Sequence, residues 1–238
     1  MRRRTDEKGL RASGFAFRVN PKPVTRNPKL NLSNFSWAVL ALCLIAGCLP
    51  SAQPDRTQYY ALTAKAAPDA ALGGPGLEQI SLGVGPLRIP GYLDREELVT
   101  RAGDTRYEVS QNDRWIEPLE ESIGRVLAQN LYLLLKSERI VRYPWPASRR
   151  ITHQVEVEIL RFEPTAERRA ELSARWFIID AAAKQPLAGR TSVYHRPIQG
   201  AGKDAAVEAL SEALADLSRE IAGAVRTVAQ QKQSGAGS

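Results

Sequence analysis

The sequence predicts an α+β fold: one two-layer domain in which a mainly antiparallel or mixed sheet carries two long helices on one face. Two observations lead to this prediction. Several short segments alternate apolar and polar residues, which is the pattern of strands with one buried face. Two longer segments place apolar residues every three or four positions, which is the pattern of amphipathic helices. The chain after position 47 is long enough to build a single core of this kind.

The predicted strands are of two kinds. From Val155 to Ile159 and from Leu172 to Ile178, apolar residues alternate with polar ones over stretches long enough to predict an antiparallel hairpin. Shorter apolar runs bounded by turn-forming residues predict further strands. These lie at Gln58 to Leu62, Ile80 to Val84, Arg106 to Ser110 and Arg190 to His195, with a turn at Gly73 to Gly76.

Two helices are predicted from apolar spacing and from their first residues. The first opens at Glu117-Pro118, where proline suits the first turn and the acidic Glu120 and Glu121 complement the helix dipole. The second begins near Asp204, a good N-cap, and its apolar stripe continues to Val228. That stripe fits a helix covering its own sheet, and it also fits a coiled-coil seam with a second copy. A homo-oligomer therefore stays possible at this stage.

Charge is distributed unevenly along the chain. The formal net charge of +7 comes entirely from the first 48 residues, which hold nine basic and two acidic side chains. The remainder carries 24 of each sign and has no net field to attract phosphate groups. This balance argues against a nucleic-acid partner.

An uncharged apolar run of about a dozen residues extends from Phe35 to Gly47 and follows a basic stretch. It is too short to span the ~30 Å hydrocarbon core of a bilayer, but it has the length of the hydrophobic region of a secretory signal. The residues Ile45 to Cys48 resemble the lipobox of bacterial lipoproteins, in which small residues precede a cysteine that accepts a lipid. Residues 1–47 are therefore predicted to be a signal peptide with an extended n-region, translated from Met1 or from about Val24. The alternative is an uncleaved anchor in which Cys48 merely packs.

Composition divides the rest of the chain into three parts. Residues 48–56 are predicted to contain a lipidated cysteine, which bears acyl chains such as palmitate, and a short tether. Residues 57–229 are predicted to form the folded domain. Residues 230–238 have too little apolar content to pack, so they are predicted to be a disordered tail. Because Leu49 follows Cys48, where aspartate would resemble an inner-membrane retention signal, we expect an outer-membrane lipoprotein.

No set of residues suited to catalysis stands out in the predicted domain. On a strand, His153 would point to the same side as Val155 and away from Glu156, so these side chains could not surround one metal ion. His195 lies at a strand end, and an ordinary structural or surface role is expected for both histidines. We therefore predict no enzymatic activity, no cofactor and no metal.

The segment Tyr143-Pro144-Trp145-Pro146 is unusual because two prolines restrict the backbone that displays two aromatic rings. The rings could pack at a sheet edge. They could also form a docking surface for a protein or an acyl chain, with Tyr143 and Trp145 as the candidate contact residues.

The segment from Val84 to Arg101, VGPLRIPGYLDREELVTR, resembles the signature of the PqiC-type auxiliary lipoproteins of ABC-type transport systems. Three further segments fit the same family pattern, and the resemblance spans nearly all of the predicted domain. They are Tyr59 to Leu62, Arg114 to Leu119 and Leu214 to Ile221. The motifs of this family are structural and not catalytic.

The resemblance implies a lipoprotein at the inner leaflet of the outer membrane whose partner is a periplasmic, PqiB-like MCE-domain protein. Such a system moves lipids between the two membranes and supports membrane integrity, and the lipoprotein would serve as a docking platform or ring. Two alternatives remain open. A periplasmic lipid-binding carrier would need an enclosed apolar pocket, and a lipoprotein hydrolase would need polar groups that converge at a cleft.

Overall fold

The computed structural model describes residues 55–67 and 77–236. The predicted signal peptide, Cys48, most of the tether and the predicted turn at 73–76 lie outside these residues. The described elements, in chain order, are β1 (Gln58–Tyr60), a single 3-10 turn (Leu77–Gln79), β2 (Leu82–Arg88), β3 (Glu97–Arg101), β4 (Tyr107–Trp115), α1 (Leu119–Leu135), β5 (Ile140–Arg142), β6 (His153–Pro164), β7 (Arg169–Asp180), β8 (Pro186–Pro197) and α2 (Gly202–Ala236).

The larger sheet has five strands in the order β5-β2-β6-β7-β8. β5, β2 and β6 are parallel to one another, whereas β6-β7 and β7-β8 are antiparallel. In the β6-β7 hairpin Val157 lies opposite Trp176, and both side chains are buried. Glu156 and Glu158 alternate with the buried residues and are more exposed. The predicted hairpin is therefore confirmed, as is an α+β fold with sheets of mixed orientation.

A second sheet of three strands has the order β1-β4-β3. β1 runs parallel to β4, and β3 runs antiparallel to it. The sequence predicted one sheet, and it missed β3 and β5. β3 begins at Glu97 and β5 at Ile140. These strands are only five and three residues long, too short for a clear alternating pattern.

The two helices pack side by side against one face of the larger sheet. α1 contacts β2 and β5, and α2 contacts β6, β7 and β8. The apolar stripe of α2 is buried at Leu210, Leu214, Leu217, Ile221 and Val225. Because this stripe is already covered within the chain, it does not serve as a seam with a second copy.

α2 continues to Ala236, which differs from the prediction of a disordered tail from residue 230. Residues 230–236 extend a long helix whose preceding turns are held by the core, and elongation of an existing helix is far easier than nucleation. The first helix begins at Leu119, with Pro118 as its N-cap residue, close to the predicted opening.

Candidate functional site

The aromatic segment after β5 packs on β2 because β2 carries glycines there. A Cβ atom at Gly83 would lie 2.8 Å from Cζ3 of Trp145, and a Cβ atom at Gly85 would lie 2.7 Å from Cβ of Tyr143. Gly85 also has a φ of +116°, which other residues rarely adopt. The Tyr143 backbone N–H donates to the carbonyl of Val84 at 2.9 Å and continues the sheet. The packing interpretation of this segment is therefore confirmed.

The same two rings also leave a surface accessible to a partner. Tyr143 and Trp145 meet edge to face, with centroids 5.4 Å apart and an angle of 82° between the ring planes. Tyr143 is 54% exposed and Trp145 is half-buried. Rings that are fixed by packing yet partly exposed lose little conformational freedom on binding, which favours them as contact residues.

A shallow groove of about 150 Å³ separates this segment from α1. Tyr143 and Pro144 line one side, and Gly124 of α1 lines the other. At its rim Arg142 pairs with Glu121 at 3.1 Å. The site therefore combines an apolar surface with a partly exposed ion pair. Such a site can bind a protein segment, but it has no nucleophile paired with a base.

The segment from Val84 to Arg101 connects the two sheets. It runs through β2, turns at Gly91 and Tyr92, and ends as β3. Its apolar side chains at positions 87, 93, 98 and 99 are buried in the core. This segment therefore builds the fold, as expected for a structural motif.

A buried polar cluster lies where the two sheets meet. The Tyr92 hydroxyl donates to Oε2 of Glu163 at 2.8 Å, and Nε of Arg101 lies 3.6 Å from Oε1 of the same carboxylate. Arg101 also pairs with Glu171, to which Arg161 donates at 2.9 Å. Burial raises the pKa of Glu163, and burial together with the Glu163 charge raises the pKa of Tyr92. Because the Glu163 side chain is 0% exposed, its carboxylate joins the two sheets inside the protein.

Sequence reasoning did not find this cluster. Tyr92 and Arg101 belong to the recognised segment, but Glu163 is 71 positions from Tyr92 in the chain. A glutamate before Pro164 at a strand end gives no local sign of burial. The only signal available was the alternation of apolar and polar residues before Glu163, which indicates a strand.

The two histidines lie far apart. His153 is 2% exposed, its Nδ1 is 2.9 Å from the Thr152 hydroxyl, and burial lowers its pKa. His195 is exposed and pairs across β8 and β7 with Glu171. Glu171 in turn pairs with Glu163 of β6, and Glu163 is ten residues from His153 along that strand. At ~3.3 Å per residue the separation is about 33 Å. Among residues 55–67 and 77–236, no group of His, Cys, Asp and Glu side chains is arranged to hold a metal ion.

The segment that follows the predicted tether is fixed to both helices. β1 pairs with β4, and the Thr63 N–H then donates to the Ser211 hydroxyl of α2 at 3.2 Å. Asn130 of α1 is fully buried and its Oδ1 accepts hydrogen bonds from the N–H groups of Lys65 at 3.2 Å and Ala66 at 3.1 Å. Its Nδ2 donates to the hydroxyl of Ser218 on α2 at 3.1 Å.

Comparison with known proteins agrees with this architecture. Residues 60–222 match the family model described as the ABC-type transport auxiliary lipoprotein component. The match covers more than half of the chain and almost the whole described domain, so the chain belongs to this family of transport auxiliary lipoproteins. Within the described part of the chain, no helix is sufficiently long and apolar to cross a membrane.

No curated protein matches the sequence. Two solved structures share the fold. A protein from Xanthomonas campestris of the DUF330 family is 18% identical, with a TM-score of 0.64, over 75% of this chain and 99% of that one. An uncharacterized protein is 21% identical, with a TM-score of 0.58, over 71% of this chain and 98% of that one. At these identities the likeness shows the fold alone.

Proposed function

We propose that this auxiliary lipoprotein is acylated at Cys48, sits on the periplasmic face of the outer membrane, and serves an intermembrane lipid transport system. In this role it docks a periplasmic MCE-domain, PqiB-like protein at the outer membrane and supports envelope integrity. The observation that carries the proposal is the family match over residues 60–222, which coincides with the folded domain. Cleavage before Cys48 would remove residues 1–47.

The interior of the domain supports docking over carriage of a lipid. Fully buried side chains occupy the interface between the helices and the larger sheet, including Leu127, Leu131, Ile178 and Leu214. The groove beside Tyr143 holds about 150 Å³, a larger groove of about 360 Å³ lies between β8 and α2, and both are open to the surface. A carrier requires an enclosed apolar pocket able to bury most of its ligand.

The chemistry of the described residues also gives no support to the hydrolase alternative. The histidines are about 33 Å apart by sheet geometry, as shown above. Glu163 and Glu171 lie opposite one another, but both are buried and engaged with Arg101. The family itself is a transport auxiliary class and not a class of enzymes.

The proposed docking surface is the pair Tyr143 and Trp145. Its rings are fixed by β2, partly exposed and bordered by a groove, which are the properties of residues that contribute most to an interface. The stripe of α2 is buried, so a ring of several copies would have to use another surface such as this one.

The test is affinity capture of the tagged, acylated protein from detergent-solubilised membranes. We expect an MCE-domain protein to be captured with the wild type. Replacing both rings, Tyr143→Ser with Trp145→Ser, should lower capture at least ~10-fold, because two interface anchors contribute roughly 2 kcal/mol or more. Tyr132→Ser is the matched control, since Tyr132 is an exposed tyrosine on α1, 48% accessible, away from the groove.

Two results would contradict the proposal in different ways. Failure of the acylated wild type to capture an MCE-domain protein contradicts the transport partner. Undiminished capture by a folded double variant contradicts the docking surface alone. The anchor is checked separately by the mass of the N-terminal peptide, which shows whether Cys48 is the first residue of the mature protein and whether it carries acyl chains.

A further inference from the structure

Two of the most exposed apolar side chains lie together where the chain enters the domain. Tyr59 of β1 and Ile116, which follows β4, are each 59% exposed. The Ile116 N–H donates to the carbonyl of Tyr60 at 2.9 Å, which holds the two segments side by side. With Trp115 and Pro118 they line an open groove of about 320 Å³, here called the entry groove.

The charged residues around the entry groove largely neutralise one another. Glu96 pairs with Arg114 at 3.1 Å, and Glu117 pairs with Arg125 at 2.6 Å. The remaining rim residues are Asp94 and Arg95, which have opposite signs. A rim without net charge neither attracts a strongly charged peptide nor repels a zwitterionic surface.

The predicted anchor at Cys48 is close to the entry groove along the chain. Cys48 precedes Asp55, the first described residue, by seven positions. A fully extended chain of that length reaches at most about 25 Å, at ~3.6 Å per residue. Tyr59 is only four residues beyond Asp55, so this surface is among the described parts of the domain that are nearest along the chain to the proposed anchor.

We propose that the entry groove is the membrane-facing surface of the domain, with Tyr59 and Ile116 inserted among the headgroups of a zwitterionic bilayer. This inference rests on the proposed acylation of Cys48. A tyrosine ring has an apolar body and a polar hydroxyl, so it is suited to the boundary between acyl chains and water. Insertion would fix the orientation of a domain that the tether alone would leave free to rotate.

The test places a photo-crosslinking benzophenone amino acid at position 59 of the acylated protein, reconstituted in phosphatidylcholine vesicles. The matched control carries the same amino acid at Tyr132. That residue is 48% exposed and lies thirteen positions after Leu119, or about 20 Å from the start of α1 at 1.5 Å per residue. We expect several-fold more lipid adduct at position 59 than at position 132. Ile116→Ser should reduce the adduct at position 59 several-fold.

Other outcomes separate this inference from the proposed function. Equal lipid adducts at positions 59 and 132 overturn the membrane-facing surface, as do crosslinks from position 59 to residues 49–54, to a second copy or to another protein. The mass of the N-terminal peptide reports acylation independently. Acylated Cys48 without a preference at position 59 overturns this inference alone, whereas unacylated Cys48 overturns the anchor and this inference together.

Discussion

Asn130→Ala tests how the segment that follows β1 is attached to the helices. The Asn130 side chain is 0% exposed and makes hydrogen bonds to the N–H groups of Lys65 and Ala66 and to the Ser218 hydroxyl. At ~1 kcal/mol for each hydrogen bond, the loss is about 3 kcal/mol, and the buried Ala66 N–H left without a partner adds to it.

The free energy of unfolding is measured by urea denaturation, and local opening by amide hydrogen exchange. We expect Asn130→Ala to lower the free energy of unfolding by about 3 kcal/mol. Exchange at Lys65 and Ala66 should accelerate ~100-fold, which is the equivalent of ~2.7 kcal/mol. Ser218→Ala removes the bond from Asn130 to α2 and the bond from the Ser218 hydroxyl to the Leu214 carbonyl, and it should cost ~1–2 kcal/mol with protection at Lys65 and Ala66 retained. Equal losses from the two variants, or unchanged protection in Asn130→Ala, would refute the reasoning.

Three further predictions concern packing and ionisation. Gly83→Val should cost about 1–3 kcal/mol and release Trp145 from β2, because even a Cβ atom would lie 2.8 Å from its ring; urea denaturation and tryptophan fluorescence measure the two effects. Burial lowers the pKa of His153, so stability should fall as the pH drops below the ordinary value of ~6.5, and His153→Gln should remove that dependence from the pH profile of unfolding. Burial raises the pKa of Glu163, so its protonated form stabilises the folded protein at low pH, and this stability should be lost as the pH rises above ~4.3. Glu163→Gln retains an acceptor for the Tyr92 hydroxyl and should reduce this loss.

Each of these predictions has a matched control at an exposed or open position. A Cβ atom at Gly91 would meet nothing within 4 Å, so Gly91→Val should have little effect on Trp145 fluorescence. His195→Gln and Glu158→Gln, at an exposed and a half-exposed position, are the matched controls in the same measurement. A profile unchanged by His153→Gln or Glu163→Gln, or equal effects at Gly83 and Gly91, would contradict the assigned contacts.

Local sequence patterns by themselves determined the long elements and the placement of charge. Buried apolar residues recur every second position in the β6-β7 hairpin and every three to four positions in α2. Each element could therefore be recognised without knowledge of its neighbours. The concentration of excess positive charge before residue 49, and the lipobox resemblance at Cys48, are likewise properties of the chain alone.

Only the tertiary structure decided how distant segments meet. The fit of Trp145 over Gly83, the contact of Tyr92 with Glu163, and the pairing that divides the strands into two sheets join residues far apart in the chain. Such contacts depend on shape and burial after folding, and neither partner carries a local signature of the other. For the same reason the sequence showed that Tyr143 and Trp145 are unusual, but only the fold revealed that β2 fixes both rings and leaves Tyr143 largely exposed.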